Sequence, residues 1–419
     1  MKVDAANEGE NRATMNSKPV LFRDAKTVVL LKEADAAFAE KKLCDGPVLN
    51  LGDTCAYSCE FCYVDAIVAK FAKKTLEAQR PQTTCGFRDV VIRRRNSLRL
   101  LHDRLVGPKG PRYKDPNDQR VVFASSLVDV AANMELLRET AAALELIFEN
   151  TFWQVRLLSK SNLLPKLIED KLVAEKHHQR IIFGVSTGTL DDAVAKAIET
   201  GTPLVSKRLK SLWWLQERGL RTYGMICPSL PQSDAAGFSR KAFEAINGNQ
   251  CEHVWAEVIN VRGDSLGRTL AALRKANLKD EADRLESVSG AGHAEAWEDY
   301  ARATFLGHAA VVPAAKLRFL QYVTPRSVGW WRDQVDRGAV LLGKAAADAS
   351  PGSPTAALKA DSKAKETVTL QAVGSTEVGS VVGLAPKEVI NLQMQEETVT
   401  RAAKSSVEVA RALFEIYAA

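Results

Sequence analysis

The chain contains no uninterrupted apolar run of bilayer length, and a spanning helix needs about 20 such residues, so no membrane association is expected. The opening segment MKVDAANEGENRATMNSKPV lacks the apolar core of a secretory signal. Histidine is scarce: His102, His177, His178, His253, His293 and His308 form no CxxH or HxxxH pair, so a zinc tetrahedron built from a second Cys/His pair is not supported. Charge of one sign is lacking too. Lys and Arg number 57 against 51 Asp and Glu, a net +6 that allows an anionic partner without demanding one. Seven cysteines, an odd number, argue against a disulfide framework and for the reducing cytoplasm. With 419 residues, 46% hydrophobic and 26% charged, the chain has material for one large globular domain plus appendages.

What is present is concentrated in LNLGDTCAYSCEFCYV, where Cys55, Cys59 and Cys62 are spaced C-x3-C-x2-C. Three thiolates can hold three irons of a [4Fe–4S] cube, whereas a fully protein-ligated cube takes four. The fourth iron is then open to a ligand. Soft thiolates select iron–sulfur clusters over hard cations. With Phe61 just before the last cysteine and Tyr63 just after it, the pattern resembles the cluster motif of the radical SAM superfamily. That resemblance implies a [4Fe–4S] cluster and S-adenosylmethionine (SAM) as cofactors. It implies reductive cleavage of SAM to start radical chemistry, an electron from a flavodoxin- or ferredoxin-type partner, and Tyr63 as a candidate catalytic residue.

Along the chain, short apolar runs alternate with longer helical patterns. The runs are VLNLGDT (48–54), RVVFASS (120–126), WQVRLLSK (153–160), RIIFGVST (180–187), RTYGMICP (221–228) and HVWAEVIN (253–260). Helices are expected over 133–150 and 206–219, the latter stopped by Gly219. Such alternation argues for a parallel α/β sheet. Six units suit a partial (β/α)6 TIM-like barrel of the radical SAM type, with chemistry at the C-terminal ends of the strands. The expected division is a flexible leader over 1–20, the barrel over 21–343, a low-complexity linker over 344–383 and an amphipathic helical segment over 384–419.

Across residues 45–265 the order of features is similar to the spore photoproduct lyase-like branch, whose founding member repairs a thymine dimer in DNA. The second strand ends in FASSLVD, with Ser125, Ser126 and Asp129; the third in Ser159 and Lys160; the fourth in Ser186. In that branch such residues contact SAM, with a strand-end lysine suited to its carboxylate and hydroxyls to its amino and ribose groups. ETGT at 199–202 is similar to the branch's Glu-x-Gly-Thr element. Two departures stand out. Ser126 occupies the place of the lyase's hydrogen-donating cysteine, so repair by that route is not expected. The Gly-Gly-Glu stretch that grips the methionine amino group is absent, leaving Ser125 or Asp129 to substitute.

Cys227, at the end of the fifth run, is a candidate radical-quenching thiol or substrate contact. At the end of the sixth, Asn260 and Arg262 are candidates for an anionic part of SAM or substrate. The basic stretch 91–105 reads either as a phosphate-tracking surface or, more simply, as the solvated face of an amphipathic helix. The expected activity is therefore that of a radical SAM lyase or transferase acting on an unidentified substrate, nucleic acid among the candidates. The alternatives are aminocarboxypropyl transfer by the same cluster, or a nucleic-acid- or partner-binding protein with a structural cluster.

Overall fold

The computed structural model describes residues 18–24, 31–32, 43–45, 47–71, 86–259, 264–290, 292–322, 327–335 and 340–343, all within one compact unit, Met1–Ala357. The expected linker (344–383) and helical segment (384–419), together with Asn260, Arg262 and Cys85, lie outside the described residues.

Eight strands run parallel: β1 (Val48–Leu49), β2 (Val121–Ala124), β3 (Gln154–Ser159), β4 (Ile181–Ser186), β5 (Thr222–Ser229), β6 (Cys251–Val258), β7 (Leu317–Tyr322) and β8 (Val340–Gly343). Leu31–Lys32 adds an antiparallel edge beside β1. Each parallel strand pairs with its predecessor in the chain, and the sheet curls into a half-barrel. This order has a physical consequence. Right-handed crossovers that always step the same way put every connecting helix on one face and leave the other as the lining of the curl.

The packing shows that division. Outward residues such as Val155, Leu157, Ile181 and Phe183 join α1 (Met134–Asn150), while Ile226, Val254 and Ala256 join a second outer cluster with α2 (Val205–Glu217), α3 (Ala235–Ala245), α4 (Ser265–Lys275) and α5 (Ala294–Ala309). The inward side chains, one position out of phase, form a separate cluster that includes Val48, Phe123, Ile182, Tyr223, Met225, Trp255 and Leu320. At its base the Arg156 guanidinium lies 4.7 Å from the Trp255 ring centre and 5.4 Å from that of Tyr223.

Local signals account for the helices. Asn133 caps α1 by accepting from the Leu136 N–H at 2.8 Å. α2 ends at Gly219, whose φ of +66° suits the left-handed stop that glycine adopts without strain. The stretch 91–105 is not one helix. Val91–Arg94 is a strand paired with Val20–Arg23, and a helix follows over Ser97–Leu105. Two of the stretch's charges are turned inward: Arg94 is buried against Asp53 at 2.7 Å, and Arg93 pairs with Glu135 and Glu139. Those two arginines are thus committed to carboxylates of the chain itself, which removes them from a phosphate-tracking surface.

Candidate active site

Cys55, Cys59 and Cys62 sit on the loop that leaves β1, at the C-terminal end of the sheet. All three line one cavity of about 230 Å³. The loop is held along its whole length. Its start is fixed where Asp53 meets Arg23 at 2.5 Å and Arg94 at 2.7 Å, and where the Thr54 hydroxyl donates to Val90 O and accepts from the Ile92 N–H, both at 2.7 Å. Burial alone would raise the Asp53 carboxyl, but the two guanidiniums outweigh it and hold it below the ordinary range. Ser58–Cys59 pairs antiparallel with Glu199–Thr200, so the ETGT element is the strand that pins the cluster loop.

Three cations from distant parts of the chain bind the loop's carbonyl oxygens. Lys18 Nζ donates to Cys55 O at 3.2 Å and Tyr57 O at 2.6 Å. Arg88 Nη2 donates to Ser58 O at 3.1 Å and to the Glu60 carboxylate at 2.7 Å. Arg268, on α4, donates to Glu60 O at 3.1 Å and Cys62 O at 2.8 Å. None of these was legible in the motif, because positions 18, 88 and 268 meet at the loop only in three dimensions.

The chemistry of the donor set fits an iron–sulfur cluster. Burial pushes the Cys55 thiol up to about 12 and raises Cys59 and Cys62 as well; thiolate in such a place is stabilised by a cationic metal centre. The carbonyl-bound cations supply further positive potential around it. No histidine lines the cavity, so no Cys/His zinc set is assembled there among the described residues.

Around the thiols the strand-end residues Ser125, Ser126, Asp129, Ser159, Lys160 and Ser186 all line the same cavity. Asp129, Ser159 and Ser125 hold backbone. Asp129 Oδ1 accepts from Ser159 Oγ at 2.7 Å and Ala131 N at 2.9 Å, and Oδ2 from Lys160 N at 2.6 Å. Ser159 Oγ also accepts from Ser161 N, and Ser125 Oγ donates to Val128 O at 2.6 Å. Asp129 is buried, and burial raises its carboxyl despite those donors. Ser126 lies on the cavity wall, its N–H donating to Asn50 Oδ1 at 3.1 Å. Asn50, unremarked in the sequence, also accepts from Leu127 N at 3.0 Å and so shapes the turn.

Lys160, expected to meet a SAM carboxylate, is also engaged within the chain. Its Nζ is 2.6 Å from Glu199 Oε1 and donates to Ser186 Oγ at 3.1 Å and weakly to Cys227 O at 3.5 Å. Glu199 also pairs with the fully buried Arg208 at 2.5 Å. Burial would raise the Glu199 carboxyl, but Lys160 and Arg208 hold it below its ordinary value. Arg208 Nη1 in turn donates to Ser186 O at 3.1 Å, tying the end of β4 to the pinning strand. A Lys–Glu–Arg triad, two cations on one carboxylate, was hidden in the sequence, though Glu199 belongs to the ETGT motif.

Cys227 faces the interior, as the alternation of β5 required, and its Sγ donates to Glu257 Oε2 at 3.5 Å. Both line the cavity, as does Tyr63. Beneath them the cavity is apolar, walled by Leu43, Phe123, Leu158, Met225 and Leu320.

The chain thus combines a curled parallel sheet of this order, a partial TIM-like barrel, with a C-x3-C-x2-C loop after its first strand. Among solved structures it is similar to a spore photoproduct lyase mutant with dinucleoside spore photoproduct, at 12% identity over 68% of this chain and 84% of that one, TM-score 0.44. A spore photoproduct lyase complexed with the same dinucleoside gives 14%, 64%, 78% and 0.40. SuiB of Streptococcus suis bound to S-adenosylmethionine gives 13%, 58%, 50% and 0.29. No protein-family model and no curated protein matches the sequence. No described helix is long and apolar enough to cross a membrane.

Proposed function

We propose that this chain is a radical SAM enzyme. The observation that carries the reading is the placement of Cys55, Cys59 and Cys62 together on one cavity at the strand ends of a half-barrel. These thiolates would hold three irons of a [4Fe–4S] cluster, leaving the fourth toward SAM. When bound, the cluster supplies the electron that breaks a C–S bond of the sulfonium. The chain's own residues position and enclose. Ser126, Ser186 and the Glu257 carboxylate stand on the cavity wall and would meet the polar parts of SAM, Glu257 being suited to its ammonium group. Ser125, Asp129, Ser159 and Lys160 line the same cavity and would meet SAM there while also fixing the strand ends and Glu199. Tyr63 and Cys227 are the candidates for contact with the substrate radical, and the apolar floor excludes water from it. The electron would come from a flavodoxin- or ferredoxin-type donor.

The test is anaerobic reconstitution, reduction and addition of SAM, followed by EPR and mass spectrometry of SAM fragments. A SAM-perturbed signal with 5′-deoxyadenosine as product is expected. Methylthioadenosine instead would mean aminocarboxypropyl transfer, and a full cluster indifferent to SAM would refute the enzyme reading in favour of a structural cluster. Cys227→Ala is expected to keep the iron content and the SAM-perturbed EPR signal of the wild type; loss of iron would make Cys227 part of the cluster site instead.

A further inference from the structure

We infer that Lys18 is an electrostatic partner of the cluster site, a positioned cation that makes the cluster easier to reduce. The inference rests on the cluster reading above and extends it to a residue far from the motif. Lys18 Nζ is held against the backbone of the first cluster cysteine, at 3.2 Å from Cys55 O and 2.6 Å from Tyr57 O. Its place is fixed by a short strap: Pro19 O accepts from Val91 N at 3.0 Å, Val20–Arg23 pairs in register with Val91–Arg94, and Arg23 Nε reaches Asp53 Oδ2 at 2.5 Å. A sequence position in the expected leader is therefore bonded to the backbone of the cysteine loop.

Charge compensation separates Lys18 from the other two cations on the loop. Arg88 has Glu60 at 2.7 Å, and Arg268 has Asp65 at 3.3 Å and Glu60 at 4.0 Å. Their positive charges are partly offset where they stand. Both recorded hydrogen bonds of Lys18 go to neutral carbonyls, and no carboxylate lies within ion-pair distance of it among the described residues. Its field at the cysteines is thus less offset than theirs. One-electron reduction adds a negative charge to the cluster, and a nearby fixed cation in a partly buried site stabilises that charge. Hydrogen bonding and net charge around the thiolates are known levers on such potentials.

The experiment uses the full chain, anaerobically reconstituted, with iron content measured first. The cluster is titrated with dithionite in the presence of redox mediators, and the reduced signal is followed by EPR. Lys18→Met and Lys18→Gln are expected to lower the ratio of reduced to oxidised cluster about tenfold at a fixed poise, equivalent to about 59 mV for a one-electron couple. Lys18→Arg is expected to stay within about twofold of wild type. The Gln variant keeps a hydrogen-bond donor without the charge, so it carries the test if the Met variant fails to hold four irons. Wild-type titration by Lys18→Gln at full iron content would overturn the inference and reduce Lys18 to a clamp. A wild-type chain without a reducible four-iron cluster would overturn the cluster reading and this inference together, and the iron assay tells that outcome from the first.

Discussion

A Cβ added at Gly184 would fall 2.1 Å from the Tyr223 ring, its register partner on the inner face of the sheet. The glycine is there to admit the ring, and Gly184→Ala is expected to cost about 1–3 kcal/mol by overpacking, measured by urea unfolding. His308 is a different kind of residue-scale liability. It is fully buried on α5 with neither ring nitrogen bonded, and burial lowers its pKa from 6.5 to about 4. The unfolded chain therefore takes up the proton first as pH falls. Stability contributed by the neutral ring is complete above pH 6.5 and is lost between there and about 4, roughly 2 kcal/mol of it by pH 5. His308→Met is expected to flatten that part of the pH profile; an unchanged slope between pH 7 and 5 would rule this out. The cluster cysteines were legible residue by residue because a thiolate's chemistry is carried by its own atoms. Lys18, Arg88, Arg268 and Asn50 were not, since each acts on a backbone brought to it by folding.

At the scale of elements, the pairing of Ser58–Cys59 with Glu199–Thr200 joins the cysteine loop to the β4–α2 connection. Glu199 anchors that pair through Lys160 and Arg208. Glu199→Gln leaves two buried cations without a carboxylate, a loss of about 3–5 kcal/mol by the measure of broken buried pairs. The same variant is expected to retain less iron after gel filtration, because the strand that pins the cysteines loosens; wild-type retention would show that the ladder alone suffices. All six apolar runs read from the sequence are strands, and they lie side by side in chain order. β7 and β8 went unread. Leu317–Tyr322 and Val340–Gly343 owe their strand state to the exposed edge of β6 and then of β7, a tertiary cause that periodicity does not carry.

For the molecule as a whole, cluster binding and folding are linked, since a ligand that binds only the folded chain stabilises it by mass action. Reconstituted protein is expected to melt above the cluster-free form, and iron chelation to abolish the difference. Cys55→Ala should melt like the cluster-free protein with or without iron and sulfide; a reconstitution gain in that variant would mean that the cluster is held elsewhere. The sequence by itself determined the alternation of strands and helices and the three thiolates after the first strand. Those are local properties, set by hydrophobic period and by the chemistry of single side chains. Only the tertiary structure decided that the strand-end residues share one cavity and which partners hold them there. Asp129 and Lys160 both line that cavity, and the curl of the sheet also brings Ser159 to the first and Glu199 to the second. The same curl assembles Lys18, Arg88 and Arg268 on one loop, because buried carbonyls and charges must find partners in space rather than in sequence.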